Sequence, residues 1–384
     1  KSELINLPSV MSKSKVKSIM SKQNVEYELS YFNLNLPSHY DWGLKPVAYV
    51  EQLNDNIYLT SGNGNFIKIK KDQIETEKLN YDLIETNIKN IISDEQFYEA
   101  YILSIKDLFI KDNYIYFSFG NIKDECFFIN IFRAEINDEK LDFKNFFEKK
   151  ECKKGRDSMN FQHIGGRITD YKNDLILFTV GDFGDEDTPQ DESSIFGKIV
   201  SINVKNGKYK IISSGSRNAQ GLYYDKSNDV LLNTEHGPTG GDEVNVNIKP
   251  SSENIKNFGW PKVSYGVAGD KIFPTSHKQF GFVEPIKHFT PSIGISEIIK
   301  VFKDFNNLST NDFFVSALGW KEQMSEGDQS IHHIRLDKNF SKIINEDVIP
   351  IGERIRDIIY LPNKKSYLLV LETVPALGIL KIKQ

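Results

Sequence analysis

The densest run of chemically capable residues lies between positions 215 and 261. Arg217 and Asn218 set a fixed cation beside an amide in Gly215-Ser216-Arg217-Asn218-Ala219-Gln220-Gly221-Leu222. His236 follows in Asn233-Thr234-Glu235-His236-Gly237-Pro238-Thr239-Gly240-Gly241-Asp242-Glu243-Val244-Asn245, and Asn257-Phe258-Gly259-Trp260-Pro261 closes the stretch. Residues 237–241 hold three glycines and a proline, so the backbone can turn tightly and present bare carbonyls or amides. Asp242 and Glu243 add two carboxylates at the end of that turn. A cation, an amide, an imidazole, bare backbone and two acids are what an anionic ligand together with a metal ion needs. A Gly-rich hairpin with a solvated acidic end accounts for the same residue types.

Two other constellations carry chemistry. His163 precedes the Gly165-Gly166 pair, and Gly181-Asp182-Phe183-Gly184 lies at the far end of the next apolar run. If both loops reach one mouth, Asp182 and His163 make a general base, with the carboxylate fixing the imidazole tautomer. Otherwise His163 is a structural or exposed histidine. Arg354 and Arg356 sit at strand spacing on one face, either as a clamp for carboxylates or as a surface ion-pair ladder. Asp185, Glu186, Asp187, Asp191 and Glu192 lack the spacing of a calcium loop and read as a solvated loop. His332 and His333 are adjacent, so in a strand they face opposite ways and do not share a metal.

These residues need a scaffold that brings distant loops together, and a recurring phrase supplies one. An Asn/Asp turn, an apolar run, a polar or Gly turn and a second alternating run appear at 54–69, 111–136, 172–202, 228–248, 311–336 and 365–382. The period is about 55 residues, the length of a blade of about four strands with its loops. The expectation is an all-β fold, a six-bladed β-propeller with four-stranded antiparallel blades, over residues 26–384. A two-layer sandwich is the alternative. Residues 1–25 are polar and Ser/Lys-rich and read as a tail. The weak periodic pattern at 76–100 reads as a loop insertion.

The 384-residue chain is 39% hydrophobic and 26% charged, ordinary for a globular protein. Its net charge of −5 argues against a nucleic-acid partner. No apolar run approaches the roughly 20 residues of a membrane helix. Cys126 and Cys152 suit one disulfide in an oxidising compartment, while two buried free thiols fit the count as well. The start at Lys1 fits removal of a signal peptide or anchor, and the expected location is the periplasm or outside the cell.

Taken together in this order, 217–222, 235–245 and 258–261 resemble the glucose/sorbosone dehydrogenase family, soluble quinoproteins that use pyrroloquinoline quinone and calcium. The runs 163–167, 181–182, 291–293 and 354–357 support the resemblance, which spans about residues 45–384. It implies a sugar substrate, an external electron acceptor and a six-bladed propeller. By position, it implies that His163 is the base for the anomeric hydroxyl, oriented by Asp182, and that Arg217 and Asn218 polarise the quinone oxygens. His236, Asp242 and Ser292 fall in the cofactor pocket, and Arg354 and Arg356 at the cofactor carboxylates. Gly237 and Pro238 match carbonyls that hold the catalytic calcium, and Glu243 with the Phe258 carbonyl matches a second calcium. Two positions depart from the pattern. Phe289 stands where many members carry tryptophan, and in Ser316-Ala317-Leu318-Gly319-Trp320-Lys321 either Gly319 replaces a channel lysine or Lys321 supplies it. A cofactor-free propeller binding a glycan or protein, and a calcium-dependent lactonase, are the rival readings.

Overall fold

The computed structural model describes residues 10–34, 47–62, 64–97, 104–137, 139–155, 162–307, 309–319 and 329–383. Short strands joined by tight turns account for most of them. The recurring Asn/Asp turns have a backbone cause. Asn54, Asp112, Asn173 and Asp229 all take positive φ, 51° to 54°, a conformation these side chains tolerate better than most. Each turn follows a leading strand and sends the chain back antiparallel beside it.

The leading strands are Ala48–Leu53, Ile105–Lys111, Gly165–Asp170, Ala219–Asp225, Ile295–Lys300 and Ile355–Leu361. Each opens an antiparallel series. They adjoin one another in chain order, and Ile355–Leu361 returns against Ala48–Leu53. Apolar clusters fill the space between consecutive series. Tyr58, Phe66, Phe117 and Phe132 pack between the first two, and Leu59, Ile67, Leu368 and Val370 between the last and the first. The architecture is therefore mostly β, built from several sheets, and propeller-like.

The N-terminal stretch is not a tail throughout. Val10–Met20 is a strand, paired along Lys13–Met20 with Glu26–Asn33 and at Val10–Ser12 with Lys78–Thr86. Glu26–Asn33 in turn pairs with Ala376–Ile382, so the two ends of the chain are zipped into one sheet. Only Met11 and Ile19 of Val10–Met20 are buried, which is why its composition reads as solvated. The stretch read as a loop insertion holds the strand Lys78–Thr86 and two single-turn helices, Ile88–Ile91 and Asp94–Phe97.

Ionic groups stitch the leading strands together. The Arg167 Nη1 lies 3.0 Å from carboxylate oxygens of Asp107, Glu297 and Asp357, and its Nη2 donates to the Arg356 carbonyl. The same acids accept neighbouring backbone amides: Asp107 from Ile168, Asp357 from Val50, Glu297 from Leu222. Burial pushes Glu297 up to about 7, with Arg167 pulling the other way, and pushes nearby Glu51 up to about 8. Protons on these carboxyls balance charge that one guanidinium does not.

Five of the six leading strands share one irregularity, and Ala48–Leu53 pairs in unbroken register. The register slips between Ile105 and Asp107, Gly165 and Ile168, Ala219 and Gly221, Ile295 and Ile298, and Ile355 and Asp357. The residues skipped are Lys106, Gly166 with Arg167, Gln220, Ser296 with Glu297, and Arg356. A bulge re-aims the residue it leaves unpaired, and bulges concentrate beside functional sites.

Candidate functional site

The candidate residues gather because each lies at the open end of a hairpin. Gly165 pairs with Val180, Ala219 with Glu235, Ile295 with Ala317, and Ile355 with Leu371. Residues just before a leading strand therefore meet residues just after its partner. That places His163 by Asp182, Arg217 by Glu235 and His236, and Arg354 by Glu372. The leading strands run side by side, so these open ends lie at one end of the assembly.

His163 Nδ1 is 2.8 Å from Asp182 Oδ1. The approach depends on Gly181, where a Cβ would overlap the His163 carbonyl oxygen. Asp182 Oδ1 also accepts the Gly184 amide at 2.8 Å, and Oδ2 accepts the Trp260 indole N–H at 2.7 Å. A buried carboxylate held by donors accepts from Nδ1–H as well, which leaves Nε2 as the basic nitrogen. The His163 side chain is 17% exposed and that of Asp182 1%, so the imidazole can be reached and the acid cannot.

The Arg217 Nη1 donates to the carbonyls of His236 (3.2 Å) and Gly237 (2.7 Å), and the guanidinium sits 5.4 Å from the Trp260 ring centre. Its Nε is buried without a partner, as is Glu235 Oε2. Burial lowers Arg217 from its ordinary value, opposed by Asp182, Glu235 and Asp242. Burial, then Glu243, pushes Glu235 up to about 8. The Asn218 oxygen accepts from Gly165 N (3.2 Å) and Gln220 Nε2 (2.8 Å), which leaves its NH2 as the end free to serve a ligand. His236 Nε2 meets the Ile295 carbonyl, and burial lowers its pKa.

Asp242 is a clamp within the protein. Its oxygens accept Gly237 N, Ser292 Oγ, Ile293 N and Ile295 N at 2.9–3.1 Å, tying the 237–241 loop to the loop before Ile295–Lys300. Ser292 is thus held by Asp242. Glu243 faces His277 Nε2 at 3.3 Å. Burial alone would lower His277, but Glu243, the Thr275 carbonyl and Glu284 together outweigh it and the net shift is upward. Arg217, Glu235, Gly237, Glu243, Phe258 and Trp260 line one small cavity. Among the described residues no group of three His, Cys, Asp or Glu has metal-holding geometry. Pro238 lies in the same loop, half-buried, and Phe258 is buried.

Arg354 and Arg356 converge, both on Glu372. Arg354 Nε reaches it at 3.3 Å and Arg356 Nε at 2.6 Å, while Arg354 Nη1 binds the carbonyls of Leu318 and Gly319. Gly319 thus gives this site a carbonyl. Lys321 lies outside the described residues. Phe289 packs edge-on against His332. His332 and His333 turn to separate acids, Glu346 and Asp312. Asp185 and Glu186 pair with Lys153 and Lys271 at the surface. Sequence reasoning missed Glu372 and the bond from Trp260 to Asp182. The hairpin rule that joins His163 to Asp182 would have found Glu372.

The propeller-like scaffold is shared with solved structures of sugar dehydrogenases. The chain superposes on a crystal structure of glucose dehydrogenase with a TM-score of 0.68, at 18% identity, covering 97% of this chain and 100% of that one. For the PQQ-bound aldose sugar dehydrogenase of Streptomyces coelicolor the values are 0.64, 16%, 97% and 100%. In sequence the chain is 29% identical over 293 residues to the uncharacterised protein slr1608 of Synechocystis, across 70% of this chain and 66% of that protein. It is 27% identical over 230 residues to the aldose sugar dehydrogenase YliI of Escherichia coli, across 55% and 58%. The matches thus span less than two thirds of each relative's own length. The glucose/sorbosone dehydrogenase family model matches residues 102–374, and the chain belongs to that family.

Proposed function

We propose that this protein is a quinoprotein sugar dehydrogenase that oxidises the C1 hydroxyl of an aldose to a lactone. The observation that carries the reading is the His163–Asp182–Trp260 chain of hydrogen bonds beside Arg217 and Asn218. His163 Nε2 takes the hydroxyl proton, and Asp182 stabilises the imidazolium that forms. Bound pyrroloquinoline quinone supplies the acceptor for the C1 hydride. Arg217 and Asn218 present donors to oxygen that gains negative charge, and the buried, unpartnered Arg217 Nε is suited to that task. Turnover would also need an external electron acceptor.

The donor set also fits calcium, a hard cation that takes oxygen ligands. Gly237 and Pro238 would hold it beside the cofactor by their carbonyls, and Glu243 with the Phe258 carbonyl would hold a second ion. In the scaffold we read six four-stranded antiparallel blades, supported by the six leading strands and the apolar layers between them. The location we propose is the periplasm or the cell exterior, supported by the Cys126–Cys152 disulfide, whose Cα atoms are 5.3 Å apart. Among the described residues no helix is long and apolar enough to cross a membrane.

One observation favours a cofactor-free binding module: Glu372 already engages both arginines of the proposed clamp. A dye-coupled assay over a panel of aldoses with added cofactor and calcium separates the readings. Turnover that needs the quinone and disappears in His163→Ala supports the dehydrogenase. Turnover of lactones without quinone would favour a hydrolase, and no turnover of any aldose would contradict the proposal.

A further inference from the structure

The Trp260 indole holds Asp182 Oδ2, and the bonds that fix Trp260 come from distant parts of the chain. Trp260 N donates to the Gly215 carbonyl at 3.0 Å, and Phe258 N to the Ser214 carbonyl at 2.9 Å. The Trp260 carbonyl accepts Gln190 Nε2 at 2.6 Å. The same nitrogen donates to Asn257 Oδ1 at 3.2 Å, and Gln190 Oε1 accepts Asn257 Nδ2 at 2.8 Å. Asn257 Oδ1 also accepts Gly259 N at 2.9 Å. One glutamine amide thus braces both ends of Asn257-Phe258-Gly259-Trp260. Both its hydrogens are used, and the Trp260 carbonyl, which can only accept, fixes which end is nitrogen. The fit is close, since a Cβ at Gly215 would overlap Asn257 Oδ1. Gln190 is itself held. It ends the short turn Thr188–Gln190. Lys198, 1% exposed, donates to the carbonyls of Thr188, Pro189 and Phe196, each at 2.9 Å. An ammonium has three hydrogens, so this buried cation is fully satisfied, and two of its bonds fix that turn. The Pro189 carbonyl also accepts Gly215 N at 3.2 Å. The bonded path therefore runs from Lys198 through the Thr188–Gln190 turn to Trp260, Asp182 and His163.

We propose that Gln190 is a positioning residue for the His163 base, acting through Trp260. It keeps the indole N–H on Asp182 Oδ2, which leaves Oδ1 to the imidazole. This rests on the quinoprotein reading. The test is steady-state turnover, with added pyrroloquinoline quinone and calcium, of the aldose that wild type oxidises fastest. Wild type, Gln190→Met, Trp260→Phe and the double variant are compared, with the cofactor Kd and apo Tm of each. In Gln190→Met kcat should fall about three- to tenfold, no more than in Trp260→Phe, with KM and cofactor Kd within about twofold of wild type. In the Trp260→Phe background the same change should cost less than about twofold, because the donor it acts through is already gone. Gln190→Glu keeps the acceptor for Asn257 but loses both donors, and should do no better than Gln190→Met. A wild-type kcat in Gln190→Met would overturn the assignment and leave the quinoprotein reading standing. An equal fold-loss in both backgrounds, or an apo Tm of Gln190→Met below the assay temperature, would make Gln190 a scaffold residue and overturn it also. A wild-type chain that oxidises no aldose would overturn both.

Discussion

Asp182→Asn should stop turnover while leaving the fold and cofactor binding in place. Asp182 accepts three N–H groups: His163 and Gly184 on Oδ1 at 2.8 Å, and Trp260 on Oδ2 at 2.7 Å. An amide has one accepting end. If its oxygen keeps His163 and Gly184, its NH2 confronts the Trp260 indole N–H, and a buried donor without a partner costs about 1–3 kcal/mol. If the amide turns the other way, its NH2 faces Nδ1, the imidazole proton moves to Nε2 and the base is lost. Either way no carboxylate remains to stabilise the imidazolium. The corresponding change in a serine protease triad lowers kcat about 10⁴-fold, or about 5 kcal/mol of barrier. A similar loss in dye-coupled turnover is expected here, with the cofactor Kd unchanged. Trp260→Phe, which removes only the donor to Oδ2, should cost about tenfold. Activity of Asp182→Asn within tenfold of wild type would refute the assignment of His163 as an oriented base.

Arg167→Met leaves Asp107, Glu297 and Asp357 without their shared cation, and urea denaturation should show a loss of about 3–5 kcal/mol. The Cys126–Cys152 bridge spans 26 positions, so Cys126→Ser with Cys152→Ser should lower stability by about 3 kcal/mol, read as a fall in Tm. Stability of the apo chain should fall as pH rises from about 5 to 7. Glu51 and Glu297 have folded pKa values of about 8 and about 7, above their ordinary 4.5. In that window the unfolded chain has released protons that the folded chain still holds, which favours unfolding. Glu51→Gln should flatten the dependence. An unchanged slope would show that the buried carboxyls are not its source.

Much of the scaffold is legible in the chain because it is local. Each Asn/Asp turn needs a left-handed residue, each apolar run needs a sheet face, and the two recur together. The grouping of His163 with Asp182 follows from the same hairpin logic. The strand Val10–Met20 is not legible, since pairing on both edges leaves its lysines in solvent and only Met11 and Ile19 report burial. Arg167 is hidden for another reason. Its acids lie on other leading strands, up to 190 positions away for Asp357. Asp242 is a different case. Its place beside a glycine turn reads as ligand chemistry, yet its oxygens hold the protein's own loops.

The most direct test of the quinoprotein assignment is titration of the purified wild-type chain with pyrroloquinoline quinone, with and without calcium, followed by absorbance and thermal melting. Calcium-dependent saturation is expected, with a stabilisation of about 2.7 kcal/mol at a hundredfold excess over Kd. No spectral change and no shift in Tm under either condition would contradict it.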